Sequence, residues 1–294
     1  MKIAYLITAY RDFDHLTRLI DNIQGADIDI FIHIDRKCHY TLPDDLQQKL
    51  INRIHLLEDR FLVSWGGFNL TLAFIALMNA CREHAHYDWI LLISGQDFPI
   101  AGNDEIKAFL ARHHGQEFLA HHPLPFEGWY HSNGGLDRFQ YEWPIDEIGF
   151  VAAQKMAEQQ QATGIRRAFP LQLAPYGGSC WLTISYGLMD YICSYIEVNF
   201  SWIYPFFRTV LLADEILIHS IIMNSPYSTR VVNNDLRYID WHTGPDFPRI
   251  LTIDDVDSIV NSGCLFARKF DSHIDNIVIN QLEQRRRRII LNKI

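Results

Sequence analysis

The 294-residue sequence is poor in several features, and each shortage excludes a class of protein. Cysteine is scarce: Cys38, Cys81, Cys180, Cys193 and Cys264 are five in all, with no C-x-x-C spacing. A disulfide framework or thiolate zinc site is therefore not expected, and the apolar neighbours of most of these residues point to buried thiols in a reducing compartment. No apolar stretch approaches the ~20 residues that a membrane-spanning helix needs. The apolar run that follows Met1-Lys2 is too short for a secretion signal, so a cytoplasmic protein is expected. Basic residues are outnumbered, 26 against 35, for a net charge of −9. That balance argues against bulk nucleic-acid binding, which needs a basic face to displace phosphate counterions. The patterns G-x-x-x-x-G-K-[ST], G-x-G-x-x-G after a strand, G-x-S-x-G and H-E-x-x-H are all missing. Adjacent histidines, His113-His114 and His121-His122, read as solvated loop residues and not as a metal site.

What is present is core-forming. Apolar residues make up 48% and charged residues 21%, the balance of a folded globular chain. Continuous apolar runs at 3–9, 29–34 and 88–93 read as strands buried on both faces, with a short strand at 53–57. Phe13, Leu16, Leu19, Ile20 and Ile23 recur at helical spacing, and 68–81 reads as a buried helix. Strand and helix in alternation predict a mostly parallel sheet with helices on both faces, and ligands then bind at the carboxyl ends of the strands. Polar residues gather at those ends: Tyr10-Arg11-Asp12, Asp35-Arg36-Lys37 and Ser94-Gly95-Gln96-Asp97. Residues 121–175 read as a long insertion with one helix at 148–160. Beyond it, strands are expected at 180–184 and 264–267, and helices at 186–198, 214–223, 254–260 and in the tail.

Seven motifs then occur in order: F-I-H-I-D at 31–35, V-S-W-G-G at 63–67, L-L-I-S-G-Q-D-F-P at 91–99, Y-G-G-S-C-W at 176–181, A-D-E at 213–215, L-R-Y-I-D-W at 236–241 and L-F-A-R-K-F at 265–270. The set resembles the core-2/I-branching family (glycosyltransferase family 14), which comprises inverting β-1,6-N-acetylglucosaminyltransferases and peptide O-xylosyltransferases. The resemblance runs from residue 3 to about 271 and implies an α/β GT-A-type fold, a mostly parallel central sheet flanked by helices. It implies one domain over 1–294, with a nucleotide-sugar-binding half at 1–120 and an acceptor-binding and catalytic half at 121–294. It also implies a UDP-sugar donor, a glycan acceptor, and no metal or other cofactor. The loop after the 88–93 strand fits that last point, since Asp97 is its single carboxylate where metal-dependent relatives of the fold use Asp-x-Asp. Of the Asp-x-Asp strings present, Asp12 with Asp14 follows a strand and is the one to examine for a metal.

Residue by residue, the resemblance gives Glu215 the role of general base. Its expected place is the first turn of the 214–223 helix, where the helix dipole favours an ionised carboxylate. Lys269 is the implied cation for the leaving diphosphate, with Arg249 as the second; Arg268 competes for that place because it adjoins Lys269. Asp35 is implied at uridine or ribose, Asp97 at the donor pocket, Trp241 on the acceptor sugar, and Asp214 beside the base. The Gly177-Gly178-Ser179 turn lets backbone approach ligand, and Cys180 departs from the aromatic or Gln usual after it. Arg138 is expected as an acceptor contact. The expected donor is UDP-N-acetylglucosamine, giving a β-1,6 branch; the alternatives are UDP-xylose, or a sugar-binding protein of the same fold without catalysis. A bacterial, cytoplasmic form acting on a lipid-linked polysaccharide precursor is expected. Arg285, Arg286, Arg287 and Arg288 read as a solvated helix end favoured by the helix dipole, with a peripheral contact to anionic lipid at the inner membrane face, ~1 kcal/mol for each, as the alternative.

Overall fold

The computed structural model describes residues 1–41, 43, 44, 48, 53–241 and 248–291, without the side chains of 288–291. Among them the strands, in chain order, are β1 (Ile3–Ala9), β2 (Ile28–Ile34), β3 (Ile54–Leu56), β4 (Trp89–Ser94), β5 (Phe98–Pro99), β6 (Glu117–Pro123), β7 (Tyr176–Ser185), β8 (Val231–Val232), β9 (Arg237–Ile239) and β10 (Phe266–Arg268). The helices are α1 (Phe13–Ile23), α2 (Asn69–His84), α3 (Asn103–Arg112), α4 (Asp137–Gln140), α5 (Ile145–Ile148), α6 (Phe150–Thr163), α7 (Tyr186–Phe207), α8 (Leu217–Met223), α9 (Val256–Asn261) and α10 (Ile277–Leu291). The chain divides into two compact units. The first joins Met1–Leu57, Tyr87–Gly115 and Leu236–Ile294; the second joins Glu58–His86 and Gln116–Asp235.

In the first unit β1 lies between β2 and β4, with β3 outside β2, and all four run parallel. Every residue of β1, β2 and β4 is buried, as the unbroken apolar runs predict for parallel strands covered on both faces. Helix α1 buries His15, Leu16, Leu19, Ile20 and Ile23, one stripe of its surface. A second small sheet pairs β10 antiparallel with β5 and parallel with β9. Its core joins Phe98 and Ile100 to Leu251, Ile259, Phe270, Val278 and Leu282. This packing departs from the expected halves. The segment from Leu236 onward belongs with the N-terminal strands, because β10 takes its hydrogen bonds from β5.

In the second unit β7 pairs antiparallel with β6, which runs parallel to β8. Gly178 is required there: a Cβ on it would lie 2.0 Å from the Ala120 carbonyl oxygen of β6. Helix α7 is capped by Ser185, whose hydroxyl accepts the Leu188 amide (3.3 Å), and it runs on past the expected end at 198 to Phe207. Residues 121–175 hold more order than one helix. They contain the end of β6, a distorted 3-10 segment at Glu127–Gly135, and α4, α5 and α6. Arg167 ties this region down by donating to the carbonyls of Phe139 (2.6 Å), Tyr141 (3.2 Å), Phe206 (3.2 Å) and Thr209 (2.7 Å). Burial lowers its pKa only to about 10, so it stays cationic at neutral pH. All five cysteines are free thiols. No helix among the described residues is long and apolar enough to cross a membrane.

Candidate active site

In the first unit, the three polar loops do meet at the carboxyl edge of the parallel strands. The Asp35 amide donates to the Ala9 carbonyl (2.9 Å) and the Gly95 amide to that of Thr8 (2.8 Å). Tyr10 donates its phenol to Gln96 (2.9 Å), and Gln96 in turn donates to the Phe270 carbonyl (3.2 Å). The segment after β10 closes on the same edge. Arg11 pairs with buried Asp271, and Asp12 accepts both the amide and the hydroxyl of Ser272 at 2.6 Å. Burial works to raise the Asp12 pKa, but these Ser272 bonds and the His15 amide hold it below the usual carboxylate value. Asp12 is thus the cap of α1 and the tie to Ser272, whereas Asp14 is exposed.

The candidate charges on this edge differ in availability. Asp97 is fully buried and accepts from Ser94 Oγ (2.7 Å) and Arg268 Nε (3.0 Å). Arg268 therefore points inward at a carboxylate, and the diphosphate assignment does not suit it. Arg249 is held at 2.8 Å by Asp240 and at 2.5 Å by Asp255, which raise its pKa; its charge is already matched by two carboxylates. Lys269, half-buried, makes no ion pair with a described residue. Asp35 is buried at the end of β2 and binds Lys37 through the backbone amide (3.0 Å) and the ammonium (3.2 Å). Trp241 is 49% exposed and lies in this unit.

The second unit holds a separate pair of carboxylates. Ala213–Glu215 form one 3-10 turn entered through Leu212 in the left-handed region (φ 53°), and α8 starts only at Leu217. Glu215 therefore precedes the helix, because Ile216 (φ −126°) interrupts it, and the expected dipole argument does not hold. A side-chain partner acts instead: Arg138 donates to Glu215 Oε2 at 2.5 Å, and its guanidinium carbon lies 3.7 Å from the centre of the Trp129 ring. The Glu215 side chain remains 22% exposed. Asp214 is buried and receives the Cys180 thiol. Burial, then the neighbouring Glu215 charge, push Asp214 up to about 7, while Arg138 and Cys180 act the other way. His219 donates from Nε2 to the Ser179 carbonyl (2.9 Å), and burial lowers its pKa to about 4, so the ring is neutral.

The profile of the Core-2/I-Branching enzyme family matches residues 3–260. The chain belongs to that family. Xylosyltransferase 1 of Rattus norvegicus is 26% identical over 248 residues, covering 82% of this chain and 28% of that protein. The Homo sapiens xylosyltransferase 1 is 25% identical over 251 residues, covering 82% and 24%. The chain thus spans about a quarter of the length of these relatives. Among solved structures, S. aureus TarS residues 1–349 in complex with UDP-GlcNAc is 17% identical over 41% of this chain and 34% of that one, with a TM-score of 0.28.

Within this Core-2/I-branching chain the sequence-predicted residues sort by unit. Asp35, Asp97, Trp241, Arg249, Arg268 and Lys269 are in the first; Arg138, Gly178, Ser179, Asp214 and Glu215 are in the second. The structure joins Arg138 to Glu215, a contact that the separate roles given to them did not foresee. Gly178 serves the close approach of β6 and β7. Trp129 was missed. Its only sequence signal is an aromatic residue in an irregular stretch ahead of Gly134-Gly135. Of the Arg285–Arg288 run, Arg286 is buried and donates to the carbonyls of Ala101 and Asn22 (2.7 Å for the latter). The four-arginine lipid contact is corrected accordingly: Arg285 and Arg287 are exposed, and the Arg288 side chain lies outside the described residues. A pocket of about 550 Å³, lined in part by Glu142, Met156, Gln160 and Arg167, contains none of the predicted residues.

Proposed function

We propose that the chain is an inverting, metal-independent glycosyltransferase that moves a sugar from a UDP-sugar to a hydroxyl of a glycan acceptor. The observation that carries this reading is Glu215. In the A-D-E motif, inside the span that the family profile covers, it presents a partly exposed carboxylate held through one oxygen by Arg138. As the acceptor oxygen attacks the anomeric carbon, its proton passes to Glu215 and the bond from that carbon to UDP breaks. A single displacement with one base inverts the centre. The electron pair leaves on the diphosphate, where a fixed cation lowers the barrier because it needs no reorganisation. Lys269 is assigned that place, since Arg249 and Arg268 are occupied by carboxylates. The carboxyl edge of β1, β2 and β4 suits nucleotide binding in a GT-A-type α/β fold, with Asp35 at the nucleoside.

Metal independence is supported by how the carboxylates are used. Asp97 is fully enclosed, with Oδ1 taken by Ser94 and Arg268 and Oδ2 buried without a partner, and Asp12 is committed to Ser272 and His15. The expected donor, UDP-N-acetylglucosamine for a β-1,6 branch, has a rival in UDP-xylose, which the names of the relatives favour. A lipid-linked glycan acceptor and a cytoplasmic place of action belong to the same proposal. The test is UDP release from a panel of UDP-sugars with glycan acceptors. Glu215→Gln is expected to lower kcat by ~10²–10⁴ and to leave UDP affinity unchanged. UDP-sugar binding without UDP release in any combination would identify a sugar-binding protein instead.

A further inference from the structure

We propose that Trp129 is a positioning residue for Glu215, acting through Arg138; this rests on the reading of Glu215 as the base. The ring of Trp129 occupies a slot that two glycines from different segments leave open. A Cβ on Gly135 would lie 2.6 Å from Trp129 Cε3, and a Cβ on Gly177 would lie 2.5 Å from Cη2. The backbone at Trp129 is anchored as well, with its amide donating to Phe126 (3.0 Å) and its carbonyl accepting from Ser132 (3.3 Å). So seated, the ring offers its face to the Arg138 guanidinium at 3.7 Å, the geometry of a cation–π contact. A free arginine side chain samples many rotamers, and a flat surface beneath it removes that freedom before the hydrogen bond forms. Arg138 is held at its other end too, since its carbonyl accepts the Leu211 amide (2.9 Å) just ahead of the turn that bears Glu215. The result is a carboxylate fixed by Oε2 alone. Oε1 makes no hydrogen bond with a described residue, which leaves an oxygen of set direction for an incoming hydroxyl.

A ring that merely filled space would affect stability and nothing else. The deciding experiment compares the full chain with Trp129→Leu, Arg138→Met and the double variant, each checked for a cooperative melt; Trp129→Phe replaces the leucine variant if that one fails to fold. The first readout needs no turnover. It is the carboxyl ¹³C titration of Asp214, assigned by its loss in Asp214→Asn. Arg138→Met is expected to move that titration to higher pH, Trp129→Leu to move it the same way, and the double variant no further than Arg138→Met. The second readout is kcat, expected to fall ~10- to 100-fold in Trp129→Leu at unchanged UDP affinity, as for a group displaced by about an ångström. In the Arg138→Met background the Trp129 change is expected to cost little more, the non-additivity of residues acting in series. The proposal is overturned if Trp129→Leu leaves the Asp214 titration in place, or if it lowers kcat by the same factor with and without Arg138. A wild-type chain that turns over no UDP-sugar defeats the reading of Glu215 as base, while the titration still decides whether Trp129 seats Arg138.

Discussion

A carboxyl group with 4% of its surface exposed and a second carboxylate as its chain neighbour holds its proton to unusually high pH, and Asp214 does so to about 7. An unfolded aspartate releases its proton near ~4. Between these values the native chain binds a proton that the unfolded chain has lost, so this residue's contribution to stability falls as pH rises through the window. His219 works in the opposite sense: its native pKa of about 4 lies below the unfolded ~6.5, so stability falls as pH drops through that range. The clean measure is therefore a difference. Asp214→Asn should gain stability relative to wild type as pH rises from ~4 to about 7, read as the urea midpoint of each at several pH values. An unchanged difference across the range would mean that Asp214 ionises normally. At this scale the sequence was legible wherever a motif named the residue, as for Glu215 and Lys269. Trp129 was not legible, because its place depends on Gly177 of β7 leaving room as well as on Gly135 of its own segment, and no local pattern records that coincidence.

Elements were legible in proportion to how continuously they are buried. β1, β2 and β4 stand close to where their apolar runs put them, whereas β6 was overlooked. Its sequence opens with Glu117 and carries two histidines, which look like loop residues until the partners are known. Glu117 is fully buried because it accepts the amide and hydroxyl of Ser185, both at 2.7 Å, and pairs with Arg230. The start of α8 was misplaced for a local reason, the non-helical Ile216. Helix α10 shows how a charge run misleads, since 286 sits on its inward face. Arg286→Gln should destabilise the chain by about 1–3 kcal/mol by leaving the Asn22 and Ala101 carbonyls unpaired, seen as a lower melting temperature. Arg285→Gln with Arg287→Gln should leave that temperature unchanged. It should also leave co-sedimentation with anionic vesicles at physiological salt unchanged, because a contact of ~2 kcal/mol is too weak to bring down the wild-type chain. Marked loss of vesicle binding in that pair would restore a lipid-facing role to the tail.

For the whole molecule, the α/β class and the family could be read from the order of seven motifs, but the partition of the chain could not. The first unit is assembled from three stretches, and only spatial contact reveals that Leu236–Ile294 returns to it. Its charges supply the remaining expectation. With Asp97 tied to Arg268 and Asp12 tied to Ser272, turnover should survive excess EDTA at full rate; loss of activity on chelation with recovery on adding manganese would overturn the metal-free reading.

The three-part assembly also bears on the time course of biosynthesis. A ribosome finishes β1, β2 and β4 early, then makes Gln116–Asp235 before the partners of Phe98 and Ile100 exist. At ~5–20 residues per second that interval lasts several seconds or more. Throughout it the apolar surface destined for Leu251, Phe270, Val278 and Leu282 is left uncovered. The second unit, whose segments are complete by Asp235, can mature while the chain is still tethered. The nascent protein is therefore most exposed to aggregation around Phe98 and Ile100, and a premature stop between Asp235 and Leu251 leaves a chain with that apolar surface permanently bare and not a smaller working one.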